Sequence, residues 1–150
     1  MKKIFLLIPL LSSLAIFAQE ENEMTPLREW LIDNDGKFNT SSVLYFSYRC
    51  TALYGMMYGL ISDAPQEGAS ELAKNLEDTQ LAYITLAERV YNELTPEDER
   101  DFTDNLIRSS VPMADNYQNE ANKSWVNSGN YFNDYIQNDM LACRDFIESL

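Results

Sequence analysis

Hydrophobic residues recur every three or four positions along most of the chain after residue 24, which is the period of an amphipathic helix. The pattern predicts five helices, at about 26–33, 40–62, 67–94, 96–124 and 132–150. The sequence contains no useful length of the alternating pattern that is typical of strands. The expected fold class is therefore all-α, a single-domain bundle of four to five helices.

One face of each predicted helix is apolar, and these faces are expected to form the core. The stripe of the third helix is wide, because Leu81, Ile84 and Tyr91 extend it, so this helix is expected to have two neighbours. The residues expected to point inward are Leu27, Trp30, Leu31, Val43, Phe46, Cys50, Leu53, Met57, Leu60, Leu72, Leu76, Tyr83, Leu86, Val90, Leu94, Phe102, Leu106, Met113, Tyr117, Ala121, Phe132, Ile136, Met140, Cys143, Ile147 and Leu150.

Capping residues and helix breakers set the expected ends of these helices. Thr25 and Thr95 each precede a proline, which is the pattern of an N-cap followed by the first helical residue. Pro112 lies inside the fourth helix and is expected to kink or break it, because proline lacks the N–H and clashes with the preceding turn. The segment 125–130 (WVNSGN) is expected to separate the fourth helix from the fifth.

Residues 1–18 have the three parts of a signal peptide. Lys2 and Lys3 form a positive start, an apolar stretch follows, and Ala18 is a small residue of the kind that precedes a cleavage site. Cleavage after Ala18 leaves an exported domain of residues 19–150 and, by removing two lysines, changes the net charge from −13 to −15. The expected location is periplasmic or secreted, with no membrane contact after cleavage. An uncleaved N-terminal membrane anchor is the alternative.

The predicted second helix also has features of a membrane-spanning segment. Residues 43–61 are mostly apolar and include Gly55 and Gly59, a spacing found where membrane helices pack together. Arg49 lies near the middle, however, and a central arginine costs about 2.5–3.5 kcal/mol on membrane insertion. The central helix of a soluble bundle explains the same pattern, and this is the interpretation that we favour.

The charge and composition exclude several classes of function. The chain has 24 acidic residues against 11 basic ones, and such a surface does not suit nucleic acid. Since the chain lacks histidine, Ser-His-Asp and Cys-His catalysis and most zinc sites are excluded. The turn at Asp33–Gly36 has some features of a calcium loop, but Leu31 and Ser42 occupy the positions at which an EF-hand requires carboxylates. The sequence therefore assigns no catalytic residue, metal ligand or cofactor.

Cys50 and Cys143 are the two cysteines of the chain, and each lies in the middle of an apolar helical stripe. Both side chains are therefore expected to point into the core. Export would place them in an oxidising compartment, where such a pair normally forms a disulfide. We expect a bridge that makes the second and fifth helices direct neighbours, with Cα atoms about 4.4–6.8 Å apart. Two buried free thiols are the alternative.

Aromatic side chains cluster around a polar segment near the end of the chain. The candidate binding residues are Trp125, Asn130, Tyr131, Phe132 and Tyr135. Aromatic rings beside polar groups can stack on sugars or anchor a partner. The same rings can instead close the end of the bundle as a lid, with their polar atoms reaching water. The sequence leaves both interpretations open.

Three functions fit these observations. The favoured one is a small exported binding or interaction protein without catalysis, whose partner is a protein or a small molecule. A carboxylate-dependent hydrolase is an alternative, and Glu97 and Asp101 on one helical face illustrate the pair of acids that it needs. The chain also resembles acid-responsive periplasmic chaperones in being small, exported, helical and joined by one disulfide. Its negative charges repel one another near neutral pH, so mild acid, at about pH 5, is expected to stabilise it or drive self-association.

Overall fold

The computed structural model describes residues 24–34 and 38–150, which form five α-helices and one short 3₁₀ turn. The signal-peptide prediction for residues 1–18 lies outside this described part, as do residues 35 and 36 of the predicted turn at 33–36. No strand occurs within it, so the predicted all-α bundle is confirmed. The helices are α1 Leu27–Asp33, α2 Thr40–Ile61, α3 Ala69–Leu94, α4 Phe102–Ser128 and α5 Asp134–Glu148.

Helix α2 lies at the centre of the bundle and packs against α3, α4 and α5. Its residues 46–54 are all buried, as are Met56 and Met57. A helix surrounded in this way is apolar over most of its surface, which explains why the segment has features of a membrane span in its sequence. Among the described residues, no helix is long and apolar enough to cross a membrane.

Helix α3 turns a face rich in alanine toward the core. Its buried side chains are Ala69, Ala73, Leu76, Tyr83, Ala87, Val90 and Tyr91. Leu72 and Leu94 were expected to point inward and Leu81 to widen the stripe, but all three are exposed. Small side chains let α3 lie close against α2, its main neighbour. Because the alanines face α2, the three leucines lie on the outer side of α3.

Most other inward-facing predictions are confirmed. Leu150 lies beyond the end of α5 and is exposed, so its predicted place in the core is wrong. Every remaining predicted residue is buried or half-buried. The core of the described part thus contains most of the predicted residues, together with others that the periodicity did not indicate, such as Tyr54, Met56 and Phe146.

The predicted starts of α1 and α5 are wrong by one or two residues. Helix α1 begins at Leu27, with Pro26 rather than Thr25 at its N-cap and no side-chain cap. Helix α5 begins at Asp134, because Asn133 occupies the N-cap and its side chain accepts a hydrogen bond of 3.0 Å from a backbone N–H of the first turn. Phe132 therefore precedes the helix rather than opening it.

The predicted start of α4 is wrong by six residues. Pro96 precedes a 3₁₀ turn, Glu97–Glu99, and the helix begins only at Phe102. The side chain of Asp101 is the N-cap and accepts a hydrogen bond of 3.0 Å from the backbone N–H of Asp104. The pattern of a threonine, a proline and acidic residues therefore marks a turn here. The N-cap of the helix is Asp101, further along the chain.

Arg100 explains why the chain stays in a turn between α3 and α4. Its guanidinium donates to the carbonyl oxygens of Asn92, at 2.7 Å, and Thr95, at 3.0 Å. These carbonyls lie at the C-terminal end of α3, where a helix lacks internal donors. The hydroxyl of Tyr91 accepts a hydrogen bond from the backbone N–H of Asp101, at 3.3 Å. Both Arg100 and Asp101, in the segment between α3 and α4, are therefore bonded to the end of α3.

Helix α4 also extends beyond its predicted end. It continues through Pro112 without a break and runs to Ser128, so the first four residues of the segment 125–130 are helical rather than helix-breaking. Pro112 and Arg108 both lie on the exposed face of the helix, where the missing N–H leaves the Arg108 carbonyl without its helical donor. Gly129 ends the helix with φ +71°, a backbone conformation that favours glycine.

The two cysteines form the predicted bridge between α2 and α5. Their Sγ atoms are 2.05 Å apart and the Cα atoms of Cys50 and Cys143 are 5.8 Å apart, across a sequence separation of 93 residues. Both side chains are completely buried. The expected adjacency of the two helices is therefore confirmed.

Candidate functional site

A buried ion pair lies beside the disulfide, in the middle of the bundle. Arg49 on α2 and Asp139 on α5 have side chains with 0% exposure, and Arg49 Nη2 lies 2.7 Å from Asp139 Oδ2. Ionised groups are rarely buried so completely unless they are paired and hydrogen-bonded. The sequence pattern indicated no role for Asp139, and it indicated for Arg49 only that the second helix does not span a membrane.

Three tyrosine hydroxyls surround the Arg49 guanidinium and complete what we call the Arg49 network. Arg49 donates from Nε to Tyr117, at 3.0 Å, from Nη1 to Tyr45, at 3.2 Å, and from Nη2 to Tyr135, at 2.8 Å. The Tyr117 hydroxyl in turn donates to Asp139 Oδ2, at 2.5 Å. The network therefore joins side chains from α2, α4 and α5.

Helix α1 is attached to the same network. The backbone N–H of Leu27 donates to Asp139 Oδ1, at 2.7 Å, so the buried carboxylate satisfies one of the free donors at the start of α1. Trp30 stacks on Tyr45 with ring centroids 4.4 Å apart. Leu27 is completely buried. A helix of seven residues is too short to be stable alone, and these contacts hold it on the bundle.

Burial and the facing charges shift the pKa values of Arg49 and Tyr117 in the network. Burial raises the pKa of Tyr117 well above its usual value, an effect that Arg49 opposes and Asp139 reinforces. Burial by itself would lower the pKa of Arg49, but the facing Tyr117 and Asp139 raise it above the usual arginine value. Each hydroxyl and carboxylate oxygen already has a hydrogen-bond partner. The network therefore uses its polar groups mainly on one another, and it holds four helices together.

Two cavities lie along the line where α4 meets α5, which we call the α4–α5 seam. The larger cavity, of about 580 Å³, is lined by Glu120, Lys123, Ser124, Asn127, Ser128, Phe132, Asn133 and Asp134. The smaller cavity, of about 260 Å³, is lined by Met24, Pro26, Asn116, Glu120 and Tyr135. Small-molecule sites in proteins commonly measure about 300–1,000 Å³, so the larger cavity has a suitable size.

Glu120 lines both cavities of the seam. Its carboxylate accepts hydrogen bonds from Lys123 Nζ and from Asn133 Nδ2, each at 3.2 Å. The other lining groups of the larger cavity are mainly hydroxyls and side-chain amides, which can both donate and accept. This arrangement suits a polar ligand better than an apolar one.

The five predicted binding residues lie at three different places. Trp125 stacks on Tyr131, with ring centroids 4.5 Å apart, and its side chain is 49% exposed. Phe132 lines the larger cavity, and the Asn130 side chain holds it by exchanging hydrogen bonds of 3.0 and 3.2 Å with its backbone. Tyr135 lines the smaller cavity and binds Arg49. The five residues thus follow the seam rather than forming one compact patch.

The acidic pair that lines a cavity differs from the pair taken as an example in the sequence. Glu97 and Asp101 are both exposed near the start of α4, where Asp101 serves as the helix cap, so they form no enclosed pair. Glu120 and Asp134 share the larger cavity of the seam instead. Across residues 24–34 and 38–150, no group of three or more potential metal-binding side chains is close enough to hold a metal ion.

Known proteins give no independent indication of function. No family model, curated protein or solved structure matches the chain. Its function therefore has to be inferred from its own geometry and chemistry.

Proposed function

We propose that this protein is a small exported binding protein without catalytic activity, which holds a protein or small-molecule partner at the α4–α5 seam. The observation that carries the proposal is a cavity of about 580 Å³ lined almost entirely by polar side chains, four of them uncharged and three charged. Phe132 lines this cavity, and the half-exposed indole of Trp125 stacks on Tyr131, the residue before Phe132. Polar groups that fix orientation beside aromatic area are common in binding sites.

A rigid frame behind the seam favours binding. The disulfide joins α2 to α5, and the Arg49 network joins both of them to α4. A site held in its binding conformation loses less conformational entropy when a ligand arrives. The frame therefore supports a surface that recognises its partner without large rearrangement.

The disulfide also supports the proposal that the protein is exported. Buried bridges form and persist mainly in oxidising compartments such as the bacterial periplasm or the extracellular medium. The positively charged and apolar start of the sequence fits the same destination. We therefore propose a periplasmic or secreted location, which sequencing the N-terminus of the mature protein tests: the expected first residue is Gln19, and an intact Met1 would contradict it.

A photocrosslinking experiment tests the binding function at the seam. The photoreactive residue p-benzoylphenylalanine replaces Asn127, which lines the larger cavity, or as a control Glu88, which is exposed on α3. After irradiation in the producing cell, mass spectrometry should show an adduct that is specific to position 127. A further Trp125→Ala change should weaken this adduct. Equal adducts at both positions would contradict a binding site at the seam.

A carboxylate-dependent hydrolase is the second candidate, because Glu120 and Asp134 line the same cavity. Such enzymes need one carboxyl group in apolar surroundings, where it holds its proton near neutral pH. Glu120 instead contacts a lysine and an amide, and Asp134 is exposed. We therefore expect no turnover of 4-nitrophenyl glycosides. Turnover that Glu120→Gln abolishes would favour the hydrolase over the binding protein.

A further inference from the structure

Two buried hydroxyl groups have no hydrogen-bond partner. Within the described residues, Thr51 Oγ1 on α2 and Ser110 Oγ on α4 are the buried side-chain polar atoms in this condition. Both side chains are more than nine-tenths buried. Buried polar groups in native proteins nearly always have a partner, and each exception calls for a water, an ion or a ligand.

Both residues line one cavity, on the side of α4 that faces α2 and α3. It has a volume of about 290 Å³, close to the lower limit of small-molecule sites. It exists because α3 and α4 diverge over α2 and touch only briefly. The two unpartnered hydroxyls therefore lie at the same cavity, which opens widely to solvent, although they come from different helices.

The rest of the lining defines what this cavity can accept. Ala52, Met56, Val111 and Ala114 supply apolar walls, and none of the lining residues carries a charge. Gln80 supplies an amide group beside Gly55, where a Cβ atom would lie only 2.4 Å from Gln80 Nε2. Because no lining residue carries a charge, the cavity offers an ionic guest no counter-charge, and a neutral guest suits it better.

We propose that this cavity is a binding site for a small neutral molecule that combines one hydroxyl or amide group with an apolar body. The polar group of the guest exchanges hydrogen bonds with Thr51 and Ser110, and the apolar body packs against the walls. Each hydroxyl turns about a single bond, χ1, so it can meet the guest without any backbone movement. This site lies apart from the α4–α5 seam, and it stands whether or not the seam binds a partner.

A matched pair of probes tests the site. Benzyl alcohol and toluene have similar shapes, but only benzyl alcohol carries a hydroxyl group. Each is titrated into the ¹⁵N-labelled disulfide-bonded protein, and binding is followed by amide chemical shifts. We expect benzyl alcohol to shift resonances around positions 51, 55, 110 and 114, with an affinity about tenfold higher than toluene, because it gains two hydrogen bonds. Equal affinities would overturn the proposal.

Substitutions then identify the groups responsible. Thr51→Val and Ser110→Ala remove the hydroxyls with little change in volume, and together they should abolish the preference for benzyl alcohol while leaving toluene binding unchanged. Thr79→Val is the control, because the Thr79 hydroxyl is exposed and donates to the carbonyl of Asn75 in its own helix. It should preserve the preference. A preference that survives the double substitution would contradict the site.

A crystal structure of the protein soaked in benzyl alcohol supplies a second measurement that does not depend on the variants. The expected result is electron density for the probe within hydrogen-bond distance of both hydroxyls. Two other results would overturn the proposal. One is a single ordered water that bridges the hydroxyls, and the other is both hydroxyls turned back onto the carbonyls of Ser47 and Leu106.

Discussion

At the scale of single residues, Arg49 and Asp139 are the most sensitive points of the fold. Removing two charges from water carries a large desolvation penalty, which their mutual contact and the surrounding hydroxyls offset. With both side chains at 0% exposure, neither can recover its hydration if the other is lost. The pair therefore stabilises the fold only as long as both members are present.

A double-mutant cycle tests this dependence. Arg49→Met and Asp139→Leu should each lower the free energy of unfolding by about 3–5 kcal/mol, because each leaves a buried charge unpaired. The double variant should lose clearly less than the sum of the two, since no unpaired charge remains. Urea unfolding measures all three. Arg108→Met, which removes an exposed ion pair with Asp104, is the control and should cost no more than about 0.5 kcal/mol. Additive losses in the double variant would contradict the coupling.

The buried tyrosines predict sensitivity to alkali. Burial raises the pKa of Tyr48 to about 12, and it also raises the pKa values of Tyr83 and Tyr117 well above the usual tyrosine value. Because these pKa values are higher in the folded state, the stability that they contribute is complete below the unfolded value, about 10, and is lost as the pH rises above it. Each group lowers the free energy of unfolding by up to about 1.4 kcal/mol per pH unit in that range.

Absorbance at 295 nm and circular dichroism, recorded together between pH 9 and pH 12, measure this effect. The tyrosines whose pKa values are raised should ionise only above pH 10, in a step that coincides with the loss of the helical signal. Ionisation of all nine tyrosines in a single step near pH 10, with the helices intact, would be incompatible with the buried positions.

At the scale of the helices, the periodicity of apolar residues predicted the number and order of the helices correctly. It did not predict the helix ends correctly, because a few hydrogen bonds determine where each helix begins and ends. The start of α4 depends on Arg100, whose contacts with the end of α3 form only after the chain has folded back. The prediction of which face of α3 is buried was wrong in part. The periodicity assigns leucine to the core more readily than alanine, whereas close packing on α2 requires the small side chain of alanine.

The candidate site was predictable only in part. Asp139 lies on the stripe of α5, three residues after Ile136 and four before Cys143, and an acid at such a position signals a buried partner. Its pairing with Arg49, 90 residues away in sequence, depends on how α2 and α5 pack. The seam depends on how α4 and α5 diverge, which no local pattern specifies. The aromatic residues near it were found because aromatic clusters are visible in sequence.

Pro112 offers a test at the scale of one helix. In the interior of α4 it removes one helical hydrogen bond, and a proline there is about 3 kcal/mol less favourable than an alanine. Pro112→Ala should therefore raise the free energy of unfolding by about 2 kcal/mol, after allowing for the more flexible unfolded chain. Pro65→Ala, in the exposed link between α2 and α3, should lower it slightly. A loss of stability in Pro112→Ala would show that the helix requires its proline.

At the scale of the whole molecule, the disulfide closes the bundle from its central helix to its last one. A bridge across 93 residues stabilises a fold by restricting its unfolded chain, by about 4–5 kcal/mol in the chain-entropy model. The variant Cys50→Ala/Cys143→Ala should therefore lose about 4 kcal/mol or more in urea unfolding, which is a large part of a typical domain stability of about 5–15 kcal/mol. A loss below about 1 kcal/mol would mean that the Arg49 network and the core hold α5 without the bridge.

The net charge of −13 sets the response of the whole molecule to acid. With 24 acidic and 11 basic residues, at least 13 carboxylates have no basic partner of their own, and they repel one another across a compact domain. Protonating some of them should relieve this repulsion. One exposed acid works in the opposite direction: the hydrogen bond from Arg144 and the nearby Arg28 lower the pKa of Asp145. The stability that Asp145 contributes is therefore present above the usual aspartate pKa, about 4, and is lost only below it.

Between pH 7 and pH 5 the relief of repulsion should consequently dominate. The melting temperature should rise across this range, or the protein should begin to self-associate as its charge falls, which light scattering detects. Added salt at pH 7 is the matched test, because 0.5 M NaCl screens exposed charges and should raise the melting temperature in the same direction. Self-association at pH 5 would bring the acid-responsive chaperone back into consideration beside the binding protein. A melting temperature that falls steadily from pH 7 to pH 5 would instead mean that native ion pairs outweigh the repulsion between unpaired acids.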